Sequence, residues 1–162
     1  MKSVGFKEWA LVCEALGRGE QRIIIRKGGI AEGREGFSFK HREFFLLPTF
    51  FHEQLDKVRM PGATLPRHRE GEIQIRYFVE VADAKLITRW EEVEALEPLH
   101  VLKPEVVRER FGFGPTAGVH VAWVSVTTLD EPWILPELPA YRGCKSWVEL
   151  PEHAEHLTRV SS

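Results

Sequence analysis

The hydrophobic positions of this chain fall into short runs whose spacing predicts most of its elements. Residues 3–16 place Phe6, Trp9, Ala10, Cys13 and Leu16 at helical spacing, so they read as an amphipathic helix with Ser3 at its start and Gly17 at its end. "RIIIR" at 22–26 is β-branched and predicts a strand. "GGIAEGREG" at 28–36 carries four glycines and reads as a loop, followed by the alternating "FSF". "FFLLP" at 44–48 is apolar on both faces and predicts a buried strand closed by Pro48, with Thr49 capping a short helix through Leu55 and Val58. After a polar loop at 59–71, "EIQIRYFVEV" alternates cleanly. It predicts a strand with Ile73, Ile75, Tyr77, Val79 and Val81 on one face.

Thr88 and Glu91 predict a capping box before "WEEVEALE", ended by Pro98. Pro104 suits the first position of a further helix, "EVVRER", with Gly112 just past its end. "VHVAWVSVTTL" at 119–129 is a long strand, and the proline-bearing tail after it reads as extended and loop-rich. Strands and helices do not alternate regularly, which disfavours a doubly wound parallel sheet. The expected fold is α+β, one domain over 1–162. Its sheet is strongly bent and mainly antiparallel, or a small barrel, with short peripheral helices.

Composition narrows the function classes. With 43% hydrophobic and 28% charged residues the chain is globular in character. No apolar run reaches the roughly 20 residues of a membrane span, so no membrane partner is expected. The opening stretch is broken by Lys7, Glu8 and Glu14 and predicts no secretory signal, hence a cytoplasmic setting. Cys13 and Cys144 are too few for a disulfide framework or a cysteine zinc site. Both read as packing residues, although Arg142 and Lys145 would favour a thiolate at Cys144. The formal charge of −2 argues against indiscriminate nucleic-acid binding. Between Arg18 and Arg42, however, basic residues outnumber acidic ones, so the region suits recognition of an anion.

The candidate chemistry lies in "RKGGIAEGREGFSFKHREFFLLPTFFHEQ", residues 26–54. Arg26 and Lys27 offer charge-assisted hydrogen bonds, and Gly28 and Gly29 let backbone N–H groups approach a phosphate. The spacing matches neither a P-loop nor a dinucleotide fingerprint, and no cofactor is expected. His41, His52 and Thr49 are the remaining ligand-binding candidates, with phenylalanines available for stacking on a base. The histidines lack metal-ligand spacing, so no metal is expected. The same residues also read as a tight turn with flanking surface charges followed by core strands, the reading composition alone favours. The expectation is that "RKGG" and "PTFFH" meet in space as an anion-and-ring pocket, and that Arg26→Ala would weaken binding without unfolding the domain.

Five blocks, "FKEWALVCEAL", "IIIRKGGI", "FFLLPTFFHEQ", "RFGFG" and "YRGCKSW", resemble the domain-of-unknown-function 1802 family over nearly the whole chain. That resemblance implies no established activity. It implies an association with restriction-type nuclease domains, and so a nuclease partner. In layout, a helix followed by "GRGEQRIIIRKGG" and a bent sheet is similar to the PUA-like superfamily with its ASCH and EVE modules, small barrels that bind RNA or modified bases. Nucleic-acid or nucleotide recognition is therefore the leading expectation. A small hydrolase or nuclease with His41 or His52 as base beside Glu43 or Glu53, and no assigned catalytic residue, is the alternative. A protein-interaction module without ligand is the third.

Overall fold

A computed structural model describes residues 3–27, 38–114 and 116–153 of the chain. The first element corrects the predicted opening helix. Ser3–Trp9 is a strand, β1, and only Ala10–Arg18 is helical, α1. Helical spacing from Phe6 onward masked the strand because Phe6 belongs to the same core as Leu16. Tertiary pairing decides instead. β1 lies between two other strands, and a Cβ on Gly5 would meet Leu47 Cδ1 at 2.5 Å. Ser3 therefore caps nothing. Gly19, at φ 78°, and not Gly17, ends α1 in the left-handed conformation.

The other strands are β2 (Ile23–Lys27), β3 (Glu43–Thr49), β4 (Glu72–Ile87), β5 (Val119–Pro136) and β6 (Trp147–Leu150). They form one six-stranded sheet in the order β2-β5-β4-β3-β1-β6. β1 and β3 pair in parallel, with Gly5 opposite Phe45; every other pairing is antiparallel. The sheet is thus mixed and mainly antiparallel, with β2 and β6 as edges instead of a closed barrel. Two short helices, α2 (Trp90–Glu94) and α3 (Pro104–Gly112), are the other α-helices among the described residues.

The strand "FFLLP" is apolar on both faces because it divides two cores. Phe44 and Leu46 join α1, β2 and α3 in one cluster, whereas Phe45 and Leu47 join Tyr141, Val148 and Leu150 in another. β4 serves both through an irregularity between Ile75 and Tyr77. Ile73, Ile75 and Phe78 pack in the second cluster; Tyr77, Val79 and Val81 pack in the first. The single apolar face predicted for β4 is therefore split in two.

Several local expectations change as well. β3 continues through Pro48 to Thr49, and the turn after it is a 3₁₀ segment, His52–Asp56, which Thr49 does not cap. The Thr88–Glu91 box is not formed: α2 is preceded by Arg89 and carries no side-chain cap. Pro98 sits inside a second 3₁₀ turn, Glu97–Leu99. β5 runs on past Pro132, with an irregular stretch where the pairing jumps from Thr128 to Trp133. Pro104 does open α3. No helix among the described residues is long and apolar enough to cross a membrane.

The segment linking α2 to α3 is fastened to β2 by buried polar groups. Gln21 Nε2 donates to the Ile23 carbonyl at 2.8 Å, and Gln21 Oε1 accepts from Val101 N–H at 3.1 Å. His100 Nδ1 accepts from Leu102 N–H at 3.1 Å, which requires a neutral ring nitrogen. Burial, then Arg59 and Arg110, draw the His100 pKa down to about 4. The unfolded ring titrates near 6.5, so the neutral buried form contributes stability fully above that pH. This contribution is lost as pH falls from about 6.5 toward about 4. Urea midpoints should therefore drop between pH 7 and pH 5. His100→Asn should flatten that drop, and an unchanged pH slope in the variant would contradict the assignment.

Candidate ligand-binding site

The sequence blocks singled out above converge on four residues, Phe6, Lys7, Glu8 and Trp9. Glu8 is buried, and its Oε1 accepts from Trp9 N–H at 2.8 Å while Oε2 meets Arg26 Nη1 at 3.1 Å. Arg26 also donates through Nη2 to the Lys7 carbonyl and lies 4.4 Å above the Phe6 ring. From the other side, Thr49 Oγ1 donates to the Glu8 carbonyl at 3.3 Å, and Phe51 meets Trp9 edge-on at 5.2 Å. Arg110 Nη1 donates to the Ile25 carbonyl at 2.8 Å and sits 4.7 Å over the Trp9 ring. Lys7 Nζ donates to the Gly143 carbonyl at 2.7 Å, while Trp147 packs edge-on against Phe6 at 4.8 Å.

α1 starts at this junction without a cap of its own. Gln54, fully buried, accepts from Leu11 N–H at 3.0 Å and donates to the Thr49 carbonyl at 3.0 Å. "PTFFHEQ" thus satisfies a backbone donor that the helix geometry leaves open.

Two cavities open beside α1 and the end of β3. The smaller, about 190 Å³, lies between α1 and β4; the larger, about 360 Å³, extends toward Arg142 and Gly143. They share Pro48, Phe50 and His68, so they form one groove beneath the 66–71 segment. Its central wall is an aromatic pair: the His68 ring stacks on Phe50 at 3.9 Å with the planes 16° apart. Arg67 and Arg69 flank His68, are exposed, and make no ion pair among the described residues. At the inner end Tyr77 O–H donates to Glu14 Oε2 at 2.6 Å, and Arg76 approaches Glu14 Oε1 at 3.9 Å. Burial and the acceptor Glu14 push the Tyr77 hydroxyl up to about 12, so it stays protonated. Burial also pushes the Cys13 thiol up, with the Glu8 carboxylate adding to the effect, and Cys13 packs in the first core cluster.

The predicted site residues are placed as follows. Arg26 pairs with the Glu8 carboxylate and Thr49 donates to the Glu8 carbonyl, so both residues engage the same position of β1. Arg26 is held in an ion pair with its side chain 16% exposed, and its loss would strand a buried carboxylate. Lys27 is exposed, its Nζ 4.5 Å above the half-exposed Phe113 ring. Gly28 and Gly29 lie outside the described residues. His41 packs edge-on against Trp147 at 4.9 Å, and burial followed by Lys40 lowers its pKa. His52 is exposed at the start of its 3₁₀ turn, and Thr49 lines the larger cavity. No cluster of three metal-ligating side chains occurs among the described residues.

Sequence reasoning passed over Glu14, Tyr77 and His68, whose partners are distant in the chain. A signal was available in "PRHRE", where a ring stands between two arginines in a loop.

This geometry, a bent six-stranded mixed sheet with a helix packed beside its parallel pair, defines an ASCH-like fold. The crystal structure of ASCH from Zymomonas mobilis matches with a TM-score of 0.56 at 10% identity, covering 99% of this chain and 94% of that one. A serine-to-alanine mutant of the same protein matches with a TM-score of 0.56 at 8% identity, covering 99% and 94%. A tyrosine-to-phenylalanine mutant gives 0.53 at 10%, covering 99% and 97%. The chain belongs to the family described as Domain of unknown function (DUF1802), whose profile matches residues 5–162. No curated protein matches it.

The cavity wall depends on a glycine inside α1. A Cβ on Gly17 would lie 2.3 Å from Tyr77 Cε1, so only a bare backbone lets Tyr77 reach Glu14. Glycine to alanine in a helix is ordinarily stabilising by about 1 kcal/mol. Gly17→Ala should instead destabilise by about 1–3 kcal/mol through overpacking. Pairing it with Tyr77→Leu should recover much of the loss in denaturant melts. A stabilised single variant would contradict the packing.

Proposed function

We propose that this chain is a nucleic-acid or nucleotide recognition module whose ligand lies in the groove beneath residues 66–71. The observation that carries this is the Phe50–His68 stack, placed where both cavities meet and flanked by the uncompensated Arg67 and Arg69. A ring wall beside exposed guanidinium groups is the combination that holds a base and its phosphate. The groove is not uniformly basic, since Glu14, Glu70, Glu72 and Glu137 also line it. Mixed charge suits selective contact with a few phosphates and a base edge, and agrees with the net charge of −2. The ASCH-like fold supports the reading at the level of fold.

Within this proposal Thr49 is a groove residue, and Lys27, with the backbone at Gly28 and Gly29, is a further phosphate contact. Arg26 contributes by holding Glu8. His41 and His52 are peripheral base contacts. The nuclease partner and restriction-type setting implied by the family resemblance belong to the same proposal.

Fluorescence anisotropy with labelled single-stranded RNA and DNA tests it over a range of salt concentrations. Affinity should fall with salt, and each of Arg67→Ala and Arg69→Ala should reduce the log–log slope by about 0.7. Phe50→Ala should cost about 1–3 kcal/mol of binding if a base stacks there. Absence of binding at low salt, or variants indistinguishable from the parent chain, would sink the proposal.

A further inference from the structure

Arg110, on the last turn of α3, is a half-buried cation that the groove does not use. Among the described residues it commits one of its five N–H groups, to the Ile25 carbonyl at 2.8 Å. Arg26 Nη1 lies 3.5 Å from that same carbonyl oxygen, so the two guanidinium groups are immediate neighbours. Among the described residues they share one buried carboxylate, Glu8, and it pairs with Arg26. Arg110 has no ion-pair partner among the described residues; the adjacent Glu109 is exposed and makes none with it. Rings fix both cations in place, Phe6 under Arg26 and Trp9 under Arg110. Burial, then the neighbouring Arg26, draws the Arg110 pKa down to about 10, against the opposing pull of Glu8 and Glu109.

A flexible surface arginine would avoid such a neighbour. Here main-chain and ring contacts hold two forks side by side, with donors to spare and a net positive charge. We propose that Arg110 and Arg26 form a binding site for one phosphate-type oxyanion, bridged between the two guanidinium groups. Arg110 supplies most of the free N–H donors, and Arg26, anchored by Glu8, supplies the second charge. The site is independent of the groove and of the ligand proposed for it. The competing account is that Arg110 merely caps the Ile25 carbonyl on the outer edge of β2.

Phosphorus-31 line broadening tests the site, titrating the protein with inorganic phosphate in one arm and dimethyl phosphate in the other. Saturable binding is expected in the parent chain and in Arg108→Gln, an exposed neighbour on α3. Arg110→Gln should weaken it at least tenfold. Should Arg110→Gln fail to fold, Arg110→Lys retains the charge but not the fork, and a severalfold loss is expected. Saturation by inorganic phosphate alone assigns a terminal phosphate, and saturation by both assigns a backbone diester as well. No saturation by either probe, or equal saturation in the Arg110 variants, overturns the site. Failure of the Arg67 and Arg69 variants to affect oligonucleotide binding would leave it standing.

Discussion

The contact between Glu8 and Arg26 sets the shape of the sheet. Arg26 stands on β2, the first strand in sheet order, and Glu8 on β1, the fifth. Four strand spacings of about 4.8 Å would hold these strands about 19 Å apart in a flat sheet. Their side chains nevertheless meet at 3.1 Å, so the sheet must curl until its two ends face each other. Arg26 suits this span because its fork engages the Glu8 carboxylate and the Lys7 carbonyl together. With Glu8 2% exposed, the pair is costly to split, since either partner alone would be a poorly solvated charge.

The remaining features are arranged around this clamp. The Glu8–Trp9 junction turns β1 into α1, and the buried Gln54 and Thr49 fasten the end of β3 to the same place. That attachment positions Pro48 and Phe50, on which His68 stacks to make the groove. The basic residues therefore divide by role. Arg26 is spent on architecture, Arg110 is fixed beside it with donors in reserve, and Arg67 and Arg69 face outward. A net charge near zero conceals this division, because counting charges does not separate a clamped guanidinium from an exposed one.

Local signals revealed the elements whose burial matches their own pattern. "RIIIR" and "FFLLP" were legible as strands, as were the long β4 and β5, and Pro104 marked the start of α3. The same reasoning missed β1, because Phe6 through Leu16 fit helical spacing while the strand is stabilised by partners more than 35 residues away. It missed the phase change in β4, which arises where the pairing with β5 slips. In the candidate site, Arg26 and Thr49 were legible as polar residues of interest, but Glu8, whose carboxylate and carbonyl they engage, was not. The Glu14–Tyr77 and Phe50–His68 pairs were not, since each joins elements whose approach depends on the curl of the sheet.

A double-mutant cycle on the clamp tests this account most directly. Denaturant unfolding of the parent chain, Glu8→Gln, Arg26→Met and the double variant isolates the pairwise term. Each single change should cost about 3–5 kcal/mol by leaving the other charge buried. The double variant should cost less than their sum by about 1–3 kcal/mol. Additive losses, or single variants as stable as the parent chain, would show that the curl of the sheet does not depend on this pair.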